Sequence, residues 1–413
     1  MLISRFNSIP RFGLPYTAGD FAAALLAIYR GGPVPEAFGL LGDKPKFWTR
    51  SGRQALWLLL GALDLSPGSG IALPLFTDPS LVSAVVTAGH RPVFIDVDRR
   101  SLTIAPESLE AARGSFSAVV VVHLFGHLAD MPALVTAAGD VPVIEDAAHA
   151  PLSYLHGRMA GTFGQAAFYS FASTKYWPAG GGGLAVVNDA TLARKMAVTT
   201  GSLSPPSRVQ ELCNWILQGS KAAVFSRQLY GIFGKPMRRW VENWSLLEPC
   251  LDRGAIERSY AEVASRQALR FPPRVELQRA NSLRLLSRLA SAEDVALPHE
   301  RPGARHNYHL FPVLLRDRQE RAVVTAAMWK RFVDTSMIYC NVVKECRRFG
   351  YRGDCPAAES VADCLITLPN HAALTAQDID HVAQVFLSSL SACRAVRLSR
   401  NADEQKARQF ISG

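Results

Sequence analysis

The stretch VIEDAAH at 143–149 reads as a buried strand that runs out into two acids, Glu145 and Asp146. A second strand follows in FYSFASTK at 168–175, which passes Ser170 and arrives at Lys175. An acid at the end of a buried strand is destabilising unless its charge is paired or used. Asp146 holds that place, and His149 follows three residues on.

Working outward, short apolar runs at 71–74, 92–97, 118–124, 141–145, 166–171 and 184–187 read as strands. Helical patterns at 53–63, 80–88, 106–113 and 131–138 separate several of them, and Ser51 before Gly52 is a favoured N-cap for the first. Strands apolar along their whole length, with helices between, imply a mostly parallel sheet covered on both faces. The fold class is therefore α/β, and ligands of such sheets lie beyond the carboxyl ends of the strands.

The large α/β domain is expected over 1–250. Within it, 205–250 forms a helical insertion carrying Trp215, Trp240 and Trp244 with Lys221, Arg227, Arg238 and Arg239. That segment packs on the body, or makes peripheral contact with a membrane surface. A smaller C-terminal α/β domain is expected over 251–393, with helices at 260–269 and 275–289 flanking a break at Pro272 and Pro273. Strands at 310–315 and 365–368 follow, and 394–413 is a polar, basic tail expected to be disordered.

Composition narrows the class. At 413 residues, 48% apolar and 19% charged, the chain can bury a large core. It has no apolar run of membrane-spanning length, and Pro10 and Pro15 interrupt the N-terminus before a secretory leader could form, so a cytoplasmic protein is expected. Seven cysteines without paired short spacings argue against a disulfide framework or a zinc ribbon. His123 and His127 straddle a strand end rather than one helix face, so no metal is expected. A net charge of +10 suits anionic ligands, while the absence of a nucleic-acid motif argues against DNA or RNA.

The chemistry lies in Asp146, Ser170 and Lys175 taken together. Pyridoxal phosphate (PLP) needs an anion beside its pyridine nitrogen, a lysine amine for its aldehyde and donors for its phosphate. Those three residues supply the three types within one βαβ-sized neighbourhood.

The sequence resembles the DegT/StrS family of PLP-dependent sugar aminotransferases. The family pattern of Glu-Asp-Ala-Ala-Gln, a glycine-rich passage and Ser-Phe-x-x-Thr-Lys is met by EDAAH at 145–149, glycines at 157, 161 and 164, and SFASTK at 170–175. SGRQA at 51–55 stands at the family's Ser-Gly-Thr-x-Ala, glycines 180–183 at its Gly-Gly passage, and LPNH at 368–371 near its final Leu-Pro.

The resemblance implies a fold-type-I enzyme, a homodimer, with Lys175 as the Schiff-base lysine and proton shuttle. Asp146 would pair with the pyridine nitrogen and His149 would contact the ring-hydroxyl side. Ser170 and the amides of Gly52 and Arg53 would hold the phosphate, as a helix start favours an anion. An amino acid, glutamate first, would donate the amino group to a nucleotide-linked keto-sugar.

Three departures stand out. Arg53 replaces a threonine, Asp78 stands where many members stack an aromatic ring on PLP, and the family's Asn-x-Arg segment has no equivalent near 260–271. Two further readings follow: a PLP-binding regulator or scaffold without turnover, and a PLP-dependent sugar dehydratase. The dehydratase variant carries histidine at the position of Lys175.

Overall fold

The computed structural model describes residues 4, 6–37, 39–234 and 253–411, with side chains as far as 397. In chain order the strands are β1 (Lys46–Thr49), β2 (Gly70–Pro74), β3 (Arg91–Ile95), β4 (Ala118–Val122), β5 (Val143–Asp146), β6 (Tyr154–Leu155) and β7 (Arg158–Met159). β8 (Ala166–Ser170), β9 (Gly183–Val187), β10 (Ala304–Arg305), β11 (Phe311–Leu314) and β12 (Leu365–Leu368) follow. Seven of them form the central sheet in the order β1-β9-β8-β5-β4-β2-β3.

The sheet is mostly parallel, as its apolar strands imply. β3, β2, β4, β5 and β8 run in one sense. β9 runs against both β8 and β1, because the connection after β8 contains no helix and brings the chain straight back alongside. Alternation along the strands feeds two cores: Ile71, Leu73, Val120 and Ile144 pack on one face, Ala72, Val119, Val121 and Val143 on the other. A further core gathers β11, β12 and the helices Phe271–Leu289, Arg318–Lys330 and Ala376–Ile411 around Phe311, Val324, Ile366 and Phe386.

Two expectations are corrected. The two expected helices are present as Arg258–Ala268 and Phe271–Leu289, but the break between them falls at 269–270, and Pro272 and Pro273 lie in the first turn of the second helix. A proline is tolerated there because its missing N–H would have had no partner. The tail expected to be disordered from 394 continues the final helix to Ile411, and no Gly or Pro interrupts 376–411.

The described part of the 205–250 segment is helical over Arg208–Val224 and packs on the body. Trp215 Nε1 donates to Ser259 Oγ at 2.7 Å, and Glu211 Oε1 accepts the Ser259 N–H at 2.9 Å. Trp240, Trp244, Arg238 and Arg239 lie outside the described residues.

Candidate active site

The carboxyl ends of β4, β5 and β8 bring the candidate residues together. Asp146 ends β5 and is buried, with Oδ1 accepting the Ala148 N–H at 2.9 Å. Burial raises its pKa to about 6, with Lys175 opposing the shift. Three residues on, the His149 ring is fixed from both sides. The Phe125 N–H donates to Nδ1 at 3.3 Å, which leaves Nε2 facing Lys175 Nζ at 3.0 Å. Burial, then Lys175 and His309, hold the imidazole pKa well below its ordinary value, so this ring stays neutral.

Ser170, at the end of β8, meets the start of the helix Gly52–Ala62. Ser51 caps that helix by accepting the Gln54 N–H at 3.2 Å, and a Cβ at Gly52 would lie 3.1 Å from Ser170 Cβ. The Ser170 hydroxyl and the Arg53 guanidinium make no hydrogen bond among the described residues. Gly183 presses against the same turn, where a Cβ would sit 2.5 Å from Ser51 C and 2.6 Å from Gly52 N. The result is a close-packed helix N-terminus with its amides and one hydroxyl on offer.

Glu145 does a different job from its neighbour Asp146. Fully buried, it accepts from the N–H groups of Gly161, Phe163 and Gly164 at 2.7, 2.6 and 2.7 Å, and from His123 Nε2 at 2.9 Å. His123 Nδ1 in turn accepts the Ala129 N–H at 3.2 Å, so its other nitrogen carries the proton that faces Glu145. This carboxylate ties the glycine-bearing loop to β5.

Comparison with known proteins then decides the class. Residues 39–387 match the sequence profile of the DegT/DnrJ/EryC1/StrS aminotransferase family. The chain belongs to that family. Among its relatives is the UDP-N-acetyl-3-dehydro-alpha-D-glucosamine 3-aminotransferase of Acidithiobacillus ferrooxidans, 27% identical over 86% of this chain and 87% of that one. Another is the dTDP-4-dehydro-2,3,6-trideoxy-D-glucose 4-aminotransferase of Saccharopolyspora spinosa, 29% identical over 84% and 85%. The crystal structure of the aminotransferase TlmJ from Streptoalloteichus hindustanus shares the fold. Its TM-score is 0.75 at 24% identity, covering 93% of this chain and 99% of that chain.

As a DegT/DnrJ/EryC1/StrS aminotransferase the chain is a PLP-dependent enzyme of fold type I. The residues present fit that group. A buried carboxylate whose one hydrogen bond among the described residues comes from the Ala148 N–H, a lysine amine and a tightly packed helix start match its ring nitrogen, aldehyde and phosphate. Gly183→Ala is expected to displace that helix start and weaken PLP binding roughly tenfold, the scale of overpacking by one methyl group. Fluorescence titration of the apoprotein with PLP checks this.

The structure adds residues that sequence reasoning missed. Asp78 stacks on nothing, and caps the helix Pro79–Thr87 by accepting the Ser80 N–H at 2.9 Å. The aromatic side chain beside it is Tyr339, brought in from far along the chain with φ at 58° and packed edge-on to Phe76 at 5.9 Å. Burial first, then the charges of Asp78 and Asp146, push its phenol pKa well up. His309 stacks on Tyr176 at 5.2 Å and meets His149 at 4.6 Å. No local pattern marks either residue, since both arrive through long-range packing.

Proposed function

We propose that this DegT/DnrJ/EryC1/StrS enzyme moves an amino group from an amino acid, glutamate first, to the keto group of a nucleotide-linked sugar. The observation that carries the reading is Lys175 Nζ, held 3.0 Å from a neutral His149 at the sheet edge where Asp146 ends β5. PLP supplies an electron sink when bound. Lys175 holds it and moves the proton at Nζ between donor and acceptor positions. Asp146 pairs with the ring nitrogen and His149 orients the hydroxyl side. Ser170 and the Gly52 and Arg53 amides hold the phosphate, and Tyr339 offers the ring that Asp78 cannot. The names of the two relatives specify UDP- and dTDP-linked substrates, and a net charge of +10 favours such anions.

Visible absorption of the protein with PLP, before and after glutamate and beside Lys175→Ala, tests the reading. A band that depends on Lys175 and shifts with glutamate is the expected result. A lysine-dependent band that no amino acid moves would instead indicate a PLP-binding regulator or scaffold.

A homodimer and a cytoplasmic location belong to the same proposal. A mass in solution of twice 45.0 kDa is the expected result for the dimer. No helix among the described residues is long and apolar enough to cross a membrane. Exposed Val209, Leu212, Ile216 and Leu217 on the helix Arg208–Val224 support peripheral membrane contact, which co-sedimentation with anionic vesicles checks.

A further inference from the structure

Lys175 opens onto a cavity that also touches Tyr176, Arg274, His309, His371 and the 11–15 segment. Two other cations line it. Arg11 has a carboxylate, with Nε 3.8 Å from Asp334 Oδ2. Arg274 has none within ion-pair distance among the described residues. Its Nη2 donates to the Tyr176 carbonyl at 3.3 Å, and its guanidinium carbon lies 6.0 Å from the Phe271 ring centroid.

Arg274 is costly where it stands. It lies in the first turn of the helix Phe271–Leu289, the end at which the helix dipole disfavours a cation. Burial also lowers its pKa to about 10. Both penalties fall if an anion sits against the guanidinium, which presents a fork matched to a carboxylate.

A second buried group lacks a partner in the same cavity. His371 Nε2 donates to the Pro10 carbonyl at 3.2 Å, so its Nδ1 is an acceptor, and that atom is buried without a hydrogen bond among the described residues. Glycine at 13 leaves the neighbouring space open, since a Cβ there would lie 2.9 Å from Nδ1. Beside the reactive amine the cavity thus offers one cation without a carboxylate among the described residues, Arg274, and one acceptor, His371 Nδ1.

The reaction has two substrates, and their charges sit in different places. An amino acid carries its carboxylate one bond from the reacting carbon. A nucleotide-linked sugar carries its phosphates a sugar ring away from it. A cation in the lysine's own cavity therefore suits the first.

We infer that Arg274 binds the carboxylate of the amino donor and so sets donor recognition, an assignment that rests on the transamination reading above. His371 Nδ1 accepts an N–H or O–H of the same ligand.

Calorimetric titration of the PLP-loaded enzyme with 2-oxoglutarate, for wild type, Arg274→Gln and Arg274→Lys, tests this. Arg274→Gln should raise the dissociation constant roughly 10–100-fold, the effect of losing hydrogen bonds to a charged group. Arg274→Lys should recover part of it, because it keeps the charge and loses the fork. Affinity for PLP and for UDP should stay unchanged in both variants.

Equal binding by wild type and Arg274→Gln overturns the inference. So does no binding of 2-oxoglutarate or pyruvate by the wild type, or a loss confined to UDP. Parallel loss of PLP affinity would show a structural role instead. Failure of the transamination reading is a separate outcome. Glutamate would then leave the wild-type spectrum unmoved, while Arg274-dependent binding of 2-oxoglutarate would still support the carboxylate site.

Discussion

Glu145→Ala is expected to remove about 3–5 kcal/mol of folding stability, the range for taking one partner from a buried charged network. The expectation follows from what the carboxylate does. Three backbone N–H groups, of Gly161, Phe163 and Gly164, and His123 Nε2 all end on its two oxygens. Each donor left buried without an acceptor costs roughly 1–3 kcal/mol, and water entering the vacated space relieves part of the total. Glu145→Gln keeps the shape but turns one acceptor into a donor aimed at another donor, so it should lose nearly as much.

Urea unfolding of both variants measures the loss, and native-state amide exchange at 161, 163 and 164 locates it. A midpoint shift worth less than about 1 kcal/mol, on the usual scale of surface substitutions, would remove Glu145 from this structural role. PLP affinity should fall as a consequence, since Asp146 is the next residue along β5.

How far the sequence foretells this site depends on what each residue bonds to. Strand and helix order is legible because fully apolar runs and N-caps such as Ser51 are local signals. The meeting of Asp146, Lys175, Ser170 and Gly52 is legible once the strands are taken as parallel, for all four then lie near strand carboxyl ends or a helix start. Glu145 is different. Three of its four partners are backbone amides 16 to 19 residues downstream, which leave no side-chain signature. Two adjacent acids look alike in sequence, and only the pleat separates the one that ties a loop from the one proposed to pair with the cofactor. The antiparallel sense of β9 is hidden for a related reason, as an apolar run carries no direction. Tyr339, His309 and Arg274 all lie beyond residue 270, where packing rather than spacing decides which side chain reaches the carboxyl ends of β5 and β8. Only the first turn of the helix Phe271–Leu289 is hidden, by a proline pair that breaks a helix interior yet suits its start.

Asp146→Asn should reverse the usual order of stability between variant and wild type, depending on whether PLP is bound. In the apoprotein, burial raises the Asp146 pKa from 3.8 to about 6. A carboxyl that holds its proton longer in the folded than in the unfolded chain favours folding fully below its unfolded pKa. That contribution is lost as pH rises through the folded value. Above pH 6 the ionised carboxylate therefore costs the apoprotein about 3 kcal/mol, at 1.36 kcal/mol per pKa unit. Asparagine keeps the shape and the Ala148 N–H bond without the charge. Apo Asp146→Asn should then be the more stable protein at pH 8 by up to about 3 kcal/mol, with the gap closing towards pH 4. On the proposed ring-nitrogen assignment, bound PLP would give the carboxylate a cationic partner and turn the penalty into an attraction. The wild type should be stabilised strongly by the cofactor, while the variant binds it roughly 10–100-fold more weakly for want of a charge-assisted hydrogen bond. Urea unfolding of apo and PLP-loaded forms across pH 4–8 measures both halves. An apo variant no more stable than wild type at pH 8 would show that the site already neutralises Asp146 without the cofactor. The ring-nitrogen assignment would then have to stand on the PLP affinities alone.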